Sequence, residues 1–244
     1  MIRTIEELSM NAWPAMQTLH YDGWVLRSAD GYTKRANSVY PLYPPERDLD
    51  EKIDFCESFY RDLSLPTVFK LTPASLPSGL DACLEERGYR ADSRTNLQTL
   101  DLTRERYEVM ENVDLSSEDT EAWHIAFARM NNVAPNRRST HEGILRAILL
   151  DRCFASIRAD GSILGCGLGV LQGGYLGIFD IVIDPDHRGQ GHGTGLMKAL
   201  LAWGHAQGAQ TAYLQVMCNN EPALQLYEKL GFRERYQYWY RIKP

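Results

Sequence analysis

The residues best spaced for chemistry lie in one segment, Asp180–Leu200, which reads DIVIDPDHRGQGHGTGLMKAL. An apolar run ends at Ile183, Pro185 stops it, and a glycine-rich turn leads into an amphipathic stretch. Gly189, Gly191 and Gly193 carry no Cβ, so successive backbone N–H groups can converge on one point. The following helix adds the positive end of its dipole, and Arg188 adds charge. Such a turn suits a diphosphate. A P-loop would need Lys-Ser/Thr after its glycines, where Thr194-Gly195-Leu196 stands. A dinucleotide fingerprint fits Gly-x-Gly-x-Gly poorly and would open its domain instead of coming late in the chain.

A second cluster follows: Asn220, Ala223, Tyr227, Gly231 and Phe232, spaced Asn-x-x-Ala-x-x-x-Tyr-x-x-x-Gly-Phe. Together with Arg188-x-x-Gly191-x-Gly193, and with Ile181, Ile183 and Pro185 ahead of it, this resembles the GNAT superfamily of acetyl-CoA-dependent N-acetyltransferases. The resemblance covers residues 113–244 strongly and the first hundred residues weakly. It implies that the strand around Ile181, Val182 and Ile183 diverges from the strand around Leu214–Met217, and that pantetheine lies in the split. It implies that the phosphates reach Arg188, Gly189, Gln190, Gly191, His192, Gly193 and Thr194, with Asn220 also on the cofactor side. It further implies that the Tyr227 hydroxyl faces the CoA sulfur.

Transfer from a thioester to an amine needs an uncharged nitrogen. A lysine-like amine with pKa about 10.4 costs about 4.6 kcal/mol to deprotonate at pH 7, so a base or water relay is expected. Asp180, just before the split strand, is the candidate; Glu221 or a water chain are the alternatives. Gln215, where some relatives carry a glutamate, cannot be a base. The leaving thiolate needs a donor, and Tyr227 is expected to act as general acid. His187 and His192 fall on the phosphate side and His205 late in a helix. Cys218 reads as a buried strand-end thiol.

The elements that position these residues are legible in the second half. Thr120–Asn131 and His141–Leu150 read as helices, Phe154–Arg158 as a strand, and Ala159-Asp160-Gly161 as a turn. Ile163–Ile183 is apolar and long enough to span a membrane, but Gly173-Gly174 divides it into a hairpin, Ile163–Leu171 and Tyr175–Ile183. A helix at Thr194–Gln207, a strand at 211–218, a short helix at 221–230 and a last strand at 232–242 follow. The fold class is α/β, an α+β mixed sheet.

The first half echoes this order. LEERGYR at 84–90 resembles YEKLGFR at 227–233, 143 positions on, and SADG at 28–31 echoes RADG at 158–161. Two tandem GNAT-like copies are expected, at residues 1–105 and 113–244, with the C-terminal one complete. In the first, Leu84 stands at the tyrosine position and Pro45 at the Arg188 position, within the glycine-free YPPERDLDEK. Its prolines donate no N–H and its carboxylates repel phosphate. It reads as a degenerate copy that serves packing or walls the substrate cleft. GYTKRANSVYP (31–41) reads as a strand offering Lys34 and Arg35.

Composition sets the outer limits. The 244-residue chain carries a net charge of -6, which argues against nucleic acid as partner. Five scattered cysteines and an N-terminus without an apolar run suggest a reduced, cytoplasmic setting. No metal-ligand spacing is present. The expected activity is transfer of a short acyl group from acetyl-CoA to a primary amine on a small molecule or peptide, with no membrane partner. The alternatives are a non-catalytic acyl-CoA sensor and an aminoacyl transferase.

Overall fold

The computed structural model describes residues 1–103, 107, 112–159 and 161–244. Residues 104–106 and 108–111 of the boundary segment expected between residues 103 and 118, and Asp160 of the expected turn, lie outside them. The chain divides into two compact units. The first comprises Met1–Asn96, Gly143–Ala147 and Tyr236–Pro244, and the second Leu97–Glu142 and Ile148–Arg235.

In the first unit, helices α1 (Ile2–Ala12), α2 (Leu49–Asp62) and α3 (Leu80–Glu86) accompany strands β1 (Gln17–Tyr21), β2 (Trp24–Ser28), β3 (Val39–Pro41) and β4 (Thr67–Leu71). The start of β5 (Arg90–Asp101) and most of the last strand, β11 (Arg233–Lys243), also belong here. The order is β1-β2-β3-β4-β11. Only β3 and β4 run parallel in this set. Trp24, Leu26, Ile53, Tyr60, Phe69 and Leu84 build the core. Asp48 caps α2, its carboxylate accepting from the Asp50 and Glu51 N–H groups. The acidic run after Pro44-Pro45 is therefore a helix start that complements the dipole.

Residues 31–41 depart from the strand expected there. Lys34–Ala36 form a 3-10 turn and only Val39–Pro41 is strand. Asn37 explains the change. Its side-chain oxygen accepts from Ala29 N at 2.7 Å and Gly31 N at 2.9 Å, and its amide donates to Tyr32 O and Thr33 O. A side chain that satisfies four local backbone groups competes with a sheet ladder. Lys34 is engaged by Asp92, and Arg35 lies over the Trp13 ring at 4.7 Å.

In the second unit the rest of β5 is followed by β6 (Val113–Ser116), α4 (Glu121–Met130), α5 (Pro135–Arg146), β7 (Arg152–Ala159), β8 (Ser162–Gln172), β9 (Tyr175–Ile183), α6 (His192–Ala206), β10 (Thr211–Met217) and α7 (Glu221–Lys229). The order is β5-β10-β9-β8-β7-β6. Here β9 and β10 run parallel, while β6, β7, β8 and β9 pair antiparallel. Both units thus carry mixed sheet. The apolar run at 163–183 is the expected hairpin, turned by Gly173 and Gly174 at φ 56° and 80°. Among the described residues, no helix is long and apolar enough to cross a membrane.

Leu196, Met197, Leu200 and Leu201 of α6 pack with Ile178, Leu214, Val216 and Phe232 in the core. Gly231, at φ 92°, closes α7, with Phe232 N donating to Tyr227 O at 3.0 Å. Helix α5 starts six residues before the expected His141 and stops before Leu149. Pro135 suits a first helical position, and Leu149 is almost fully exposed, so Ile148-Leu149-Leu150 is not a buried helix face.

Candidate active site in the C-terminal unit

The site begins with a defect in a sheet. The β9–β10 ladder pairs Tyr175 with Thr211 and continues to Ile178 with Leu214. There it stops, although β9 runs on to Ile183 and β10 to Met217. On the other side of β9, Leu168 faces Phe179 and Cys166 faces Val182, so Asp180 and Ile181 together oppose Gly167. This is a β-bulge, which bends its strand and re-aims side chains. Asp180 sits in the left-handed region at φ 52°, where aspartate is better tolerated than most residues. Gly167 makes room, since a Cβ there would come 2.7 Å from Ile181 Cδ1. The bulge pulls the end of β9 out of its ladder with β10. The segment of Ile181, Val182 and Ile183 keeps its pairing with β8 on one side and on the other borders a split, where an extended, amide-bearing ligand can pair with the main-chain groups that β10 leaves.

The glycine turn lies at the end of this strand. Asp184 accepts from Asp186 N at 3.1 Å and is bound by Arg129 Nη1 at 2.6 Å, which fixes the start of the loop. That ion pair holds the Asp184 carboxyl below its usual range, mainly through the Arg129 hydrogen bond. Gly189 and Gly191 have φ of 75° and 84°, and a Cβ on either would meet nothing within 4 Å. Gly193 has a different reason, since a Cβ there would lie 3.2 Å from Leu226 on α7. Two glycines therefore shape the turn and the third lets α6 and α7 approach.

Gly191 caps α6 without a side chain, and the first intrahelical bond is Gly195 N to Gly191 O at 3.0 Å. The N–H groups of His192, Gly193 and Thr194 point out of the helix end without intrahelical acceptors. Open space ahead of glycines, with exposed N–H groups behind, fits a diphosphate. Arg188 and Gln190 are exposed beside it, and Arg188 Nε donates to Ile183 O at 3.2 Å.

Tyr227 comes from α7 and is buried with Leu214 and Val216 of β10 and Leu196 of α6. Its ring meets Phe232 edge-on at 6.0 Å. Burial pushes the phenol up to about 12, so it keeps its proton at neutral pH. No hydrogen bond to its hydroxyl occurs among the described residues. Asn220 caps α7, its side-chain oxygen accepting from Ala223 N at 3.4 Å. Glu221, in the first turn of α7, is exposed.

Asp180 has a partner that sequence reasoning missed. His141 of α5 meets Asp180 Oδ2 through Nε2 at 2.8 Å, and both side chains are more than nine-tenths buried. The two are 39 positions apart, and no local spacing marks the pair. A histidine beside a glutamate inside a helix, His141-Glu142, is the only trace it leaves in the sequence. Among the described residues, no cluster of three His, Cys, Asp or Glu could hold a metal ion.

Comparison with known proteins agrees with this geometry. Residues 1–241 match the family model described as probable histone acetyltransferase Rv0428c C-terminal. The chain is 33% identical over 257 residues to the uncharacterized N-acetyltransferase YobR of Bacillus subtilis (strain 168), across 99% of this chain and 98% of that protein. The solved GCN5-related N-acetyltransferase from Kribbella flavida shares the fold, with a TM-score of 0.75 at 16% identity over 99% of this chain and 95% of that one. A tandem GNAT protein from the clavulanic acid biosynthesis pathway also shares it, with a TM-score of 0.63 at 13% identity over 98% and 87%. On the family match and the full-length relative, the chain belongs to the GNAT family of N-acetyltransferases.

Proposed function

We propose that the protein transfers an acetyl or other short acyl group from acetyl-CoA to a primary amine of a small molecule or peptide, by direct attack. The split between β9 and β10, ending on the open turn at Gly189 and Gly191, is the observation that carries this reading. Main-chain groups of Ile181, Val182 and Ile183 would hold the pantetheine amides. Arg188, Gly189, Gln190, Gly191, His192, Gly193 and Thr194 would hold the diphosphate, with Asn220 fixing α7 beside them. Tyr227 would serve as general acid to the departing thiolate, and Asp180 would serve the amine. No enzyme nucleophile is required, so Cys218 has no role in the step. The first half, from residue 1 to about 105, would be a degenerate GNAT-like copy without its own donor site. Five free thiols suit a cytoplasmic setting.

Calorimetry with acetyl-CoA, followed by a thiol-release assay across polyamine, amino-acid, aminoglycoside and peptide acceptors, tests the reading. Binding together with amine-dependent release of CoA is expected. Tight binding without turnover on any amine would instead mark a sensor. The turn can be tested separately. Gly191→Ala forces a Cβ into the left-handed region at about 1–2 kcal/mol. If the loop relaxes to avoid that strain, the cradle is lost. Acetyl-CoA binding should weaken by about tenfold, with the amine KM unchanged. A variant that binds like the parent would remove this loop from the donor site.

A further inference from the structure

Two imidazole–carboxylate pairs, each with its histidine buried, lie in the C-terminal unit away from the glycine turn. His124 Nε2 meets Asp119 Oδ2 at 2.7 Å, and His141 Nε2 meets Asp180 Oδ2 at 2.8 Å. The second pair stands at the bulge, in the stretch of β9 that has left β10. A carboxylate only accepts, so the hydrogen of this bond lies on His141 Nε2. Its partner oxygen, Asp180 Oδ1, accepts no hydrogen bond among the described residues. The imidazole is held in plane by near-parallel rings, Phe127 at 4.4 Å and Trp123 at 6.3 Å between centroids. One carboxylate oxygen is thus tied down and the other is left over, on a residue whose backbone is forced into a rare conformation. A residue kept in the left-handed region must be held there by its surroundings, and such outliers cluster at functional sites.

We infer that Asp180 and His141 act as one unit on the acceptor side, with Asp180 Oδ1 receiving the substrate ammonium and its proton, and His141 as the positioning residue. This rests on the N-acetyltransferase reading above and adds to it the carboxylate oxygen that meets the ammonium and the imidazole that holds that carboxylate. The protons balance. An ammonium nitrogen loses two protons on becoming an amide as the C–N bond forms and the C–S bond breaks. One equivalent ends on the CoA thiolate through Tyr227, which is reprotonated from solvent. The other leaves through Asp180 to solvent.

The groups facing the pair would otherwise blur its titration. From α4 comes His124, whose ring lies edge-on to His141 at 6.3 Å and which is itself bonded to Asp119. From β8 comes the Cys166 thiol, pushed up to about 12 by burial and by Asp180, and so neutral. Arg129 of α4 is engaged by Asp184 and Arg158 of β7 by Asp114. On α5 itself, Arg138 bridges Glu121 and Glu142.

Three variants test the inference: Asp180→Asn, His141→Leu and His141→Gln. Each is compared with the parent in acetyl-CoA affinity, in the pH profile of kcat/KM for the best amine, and in the nitrogen-15 spectrum of the ligand-free imidazoles. Asp180→Asn should lower kcat/KM by about a hundredfold at pH 7 and leave acetyl-CoA affinity within about twofold. His141→Leu removes the hydrogen-bond donor from the carboxyl that takes the proton, so the acid limb of the profile should move. His141→Gln, which keeps an N–H donor, should move it back. A purely structural histidine would cost stability and leave the limb in place, and that result overturns the inference. The spectrum decides it independently of turnover. In the parent, His141 should hold its hydrogen on Nε2, and Asp180→Asn should move its ring-nitrogen resonances. Unmoved resonances sink the pair. A parent that binds no acetyl-CoA sinks only the donor reading, and the spectrum still decides the pair.

Discussion

Replacing Tyr227 with Phe is expected to lower kcat by about a hundredfold or more, within the range of general acid catalysis, while the acetyl-CoA KM stays within about twofold. The thiolate that leaves CoA resembles cysteine, with a pKa of about 8.5 in water. A bare phenol near 10 can stabilise such a charge by hydrogen bonding. Among Leu196, Leu214 and Val216 of the same core cluster, burial raises the phenol to about 12. The same burial raises a thiolate that departs beside it, so the gap between donor and acceptor does not widen. The buried phenol remains protonated until a negative charge appears next to it. Its hydroxyl bonds to no other described residue, so removing it leaves no orphaned partner and should leave stability almost unchanged. Activity and folding therefore separate in this variant. Steady-state kinetics beside a denaturation curve reads both, and unchanged turnover would take the general acid away from Tyr227.

The legible parts of this site were those that backbone chemistry writes locally. Gly189 and Gly191 mark a left-handed turn, Pro185 ends a strand, and Gly231 ends a helix, each for reasons contained within a few residues. The hairpin about Gly173-Gly174 could be read the same way, against a membrane-length run of apolar residues. The split was reached only through a family resemblance, because its cause is not local. It depends on Gly167 of β8 accepting a bulge at Asp180 and Ile181, and on β10 pairing for four residues and no more. His141 was hidden for the same reason. Its importance lies in a partner on another element, and the helix that carries it begins earlier than the apolar pattern suggests. Residues 31–41 misled in the opposite direction. They read as a strand, yet Asn37 binds the local backbone more completely than a ladder could.

In the first unit the largest effect on folding is expected at Lys70, and it concerns stability alone. Lys70 of β4 and Glu6 of α1 form a fully buried ion pair, Nζ to Oε2 at 2.6 Å. Glu6 Oε1 accepts from the Tyr236 hydroxyl at 2.7 Å, and the ammonium lies 3.8 Å from the Tyr238 ring centroid. Burial alone would lower the lysine, but Glu6, Tyr40 and Tyr238 outweigh it and hold its pKa above the usual value. Both charges are thus matched by hydrogen bonds and by a ring face. Lys70→Met takes away one charge and strands the other, which costs about 3–5 kcal/mol when the survivor stays buried. Removing both, as Glu6→Leu with Lys70→Met, leaves no isolated charge, and most of the loss should be recovered because apolar replacement of a buried pair is often near neutral. The Tyr236–Glu6 hydrogen bond is then lost, so recovery falls short by about 0.5–1.5 kcal/mol. Urea unfolding followed by tryptophan fluorescence measures all three variants. If Lys70→Met alone costs under about 1 kcal/mol, the surviving Glu6 has found water or a proton, and the pair does not hold α1 to β4.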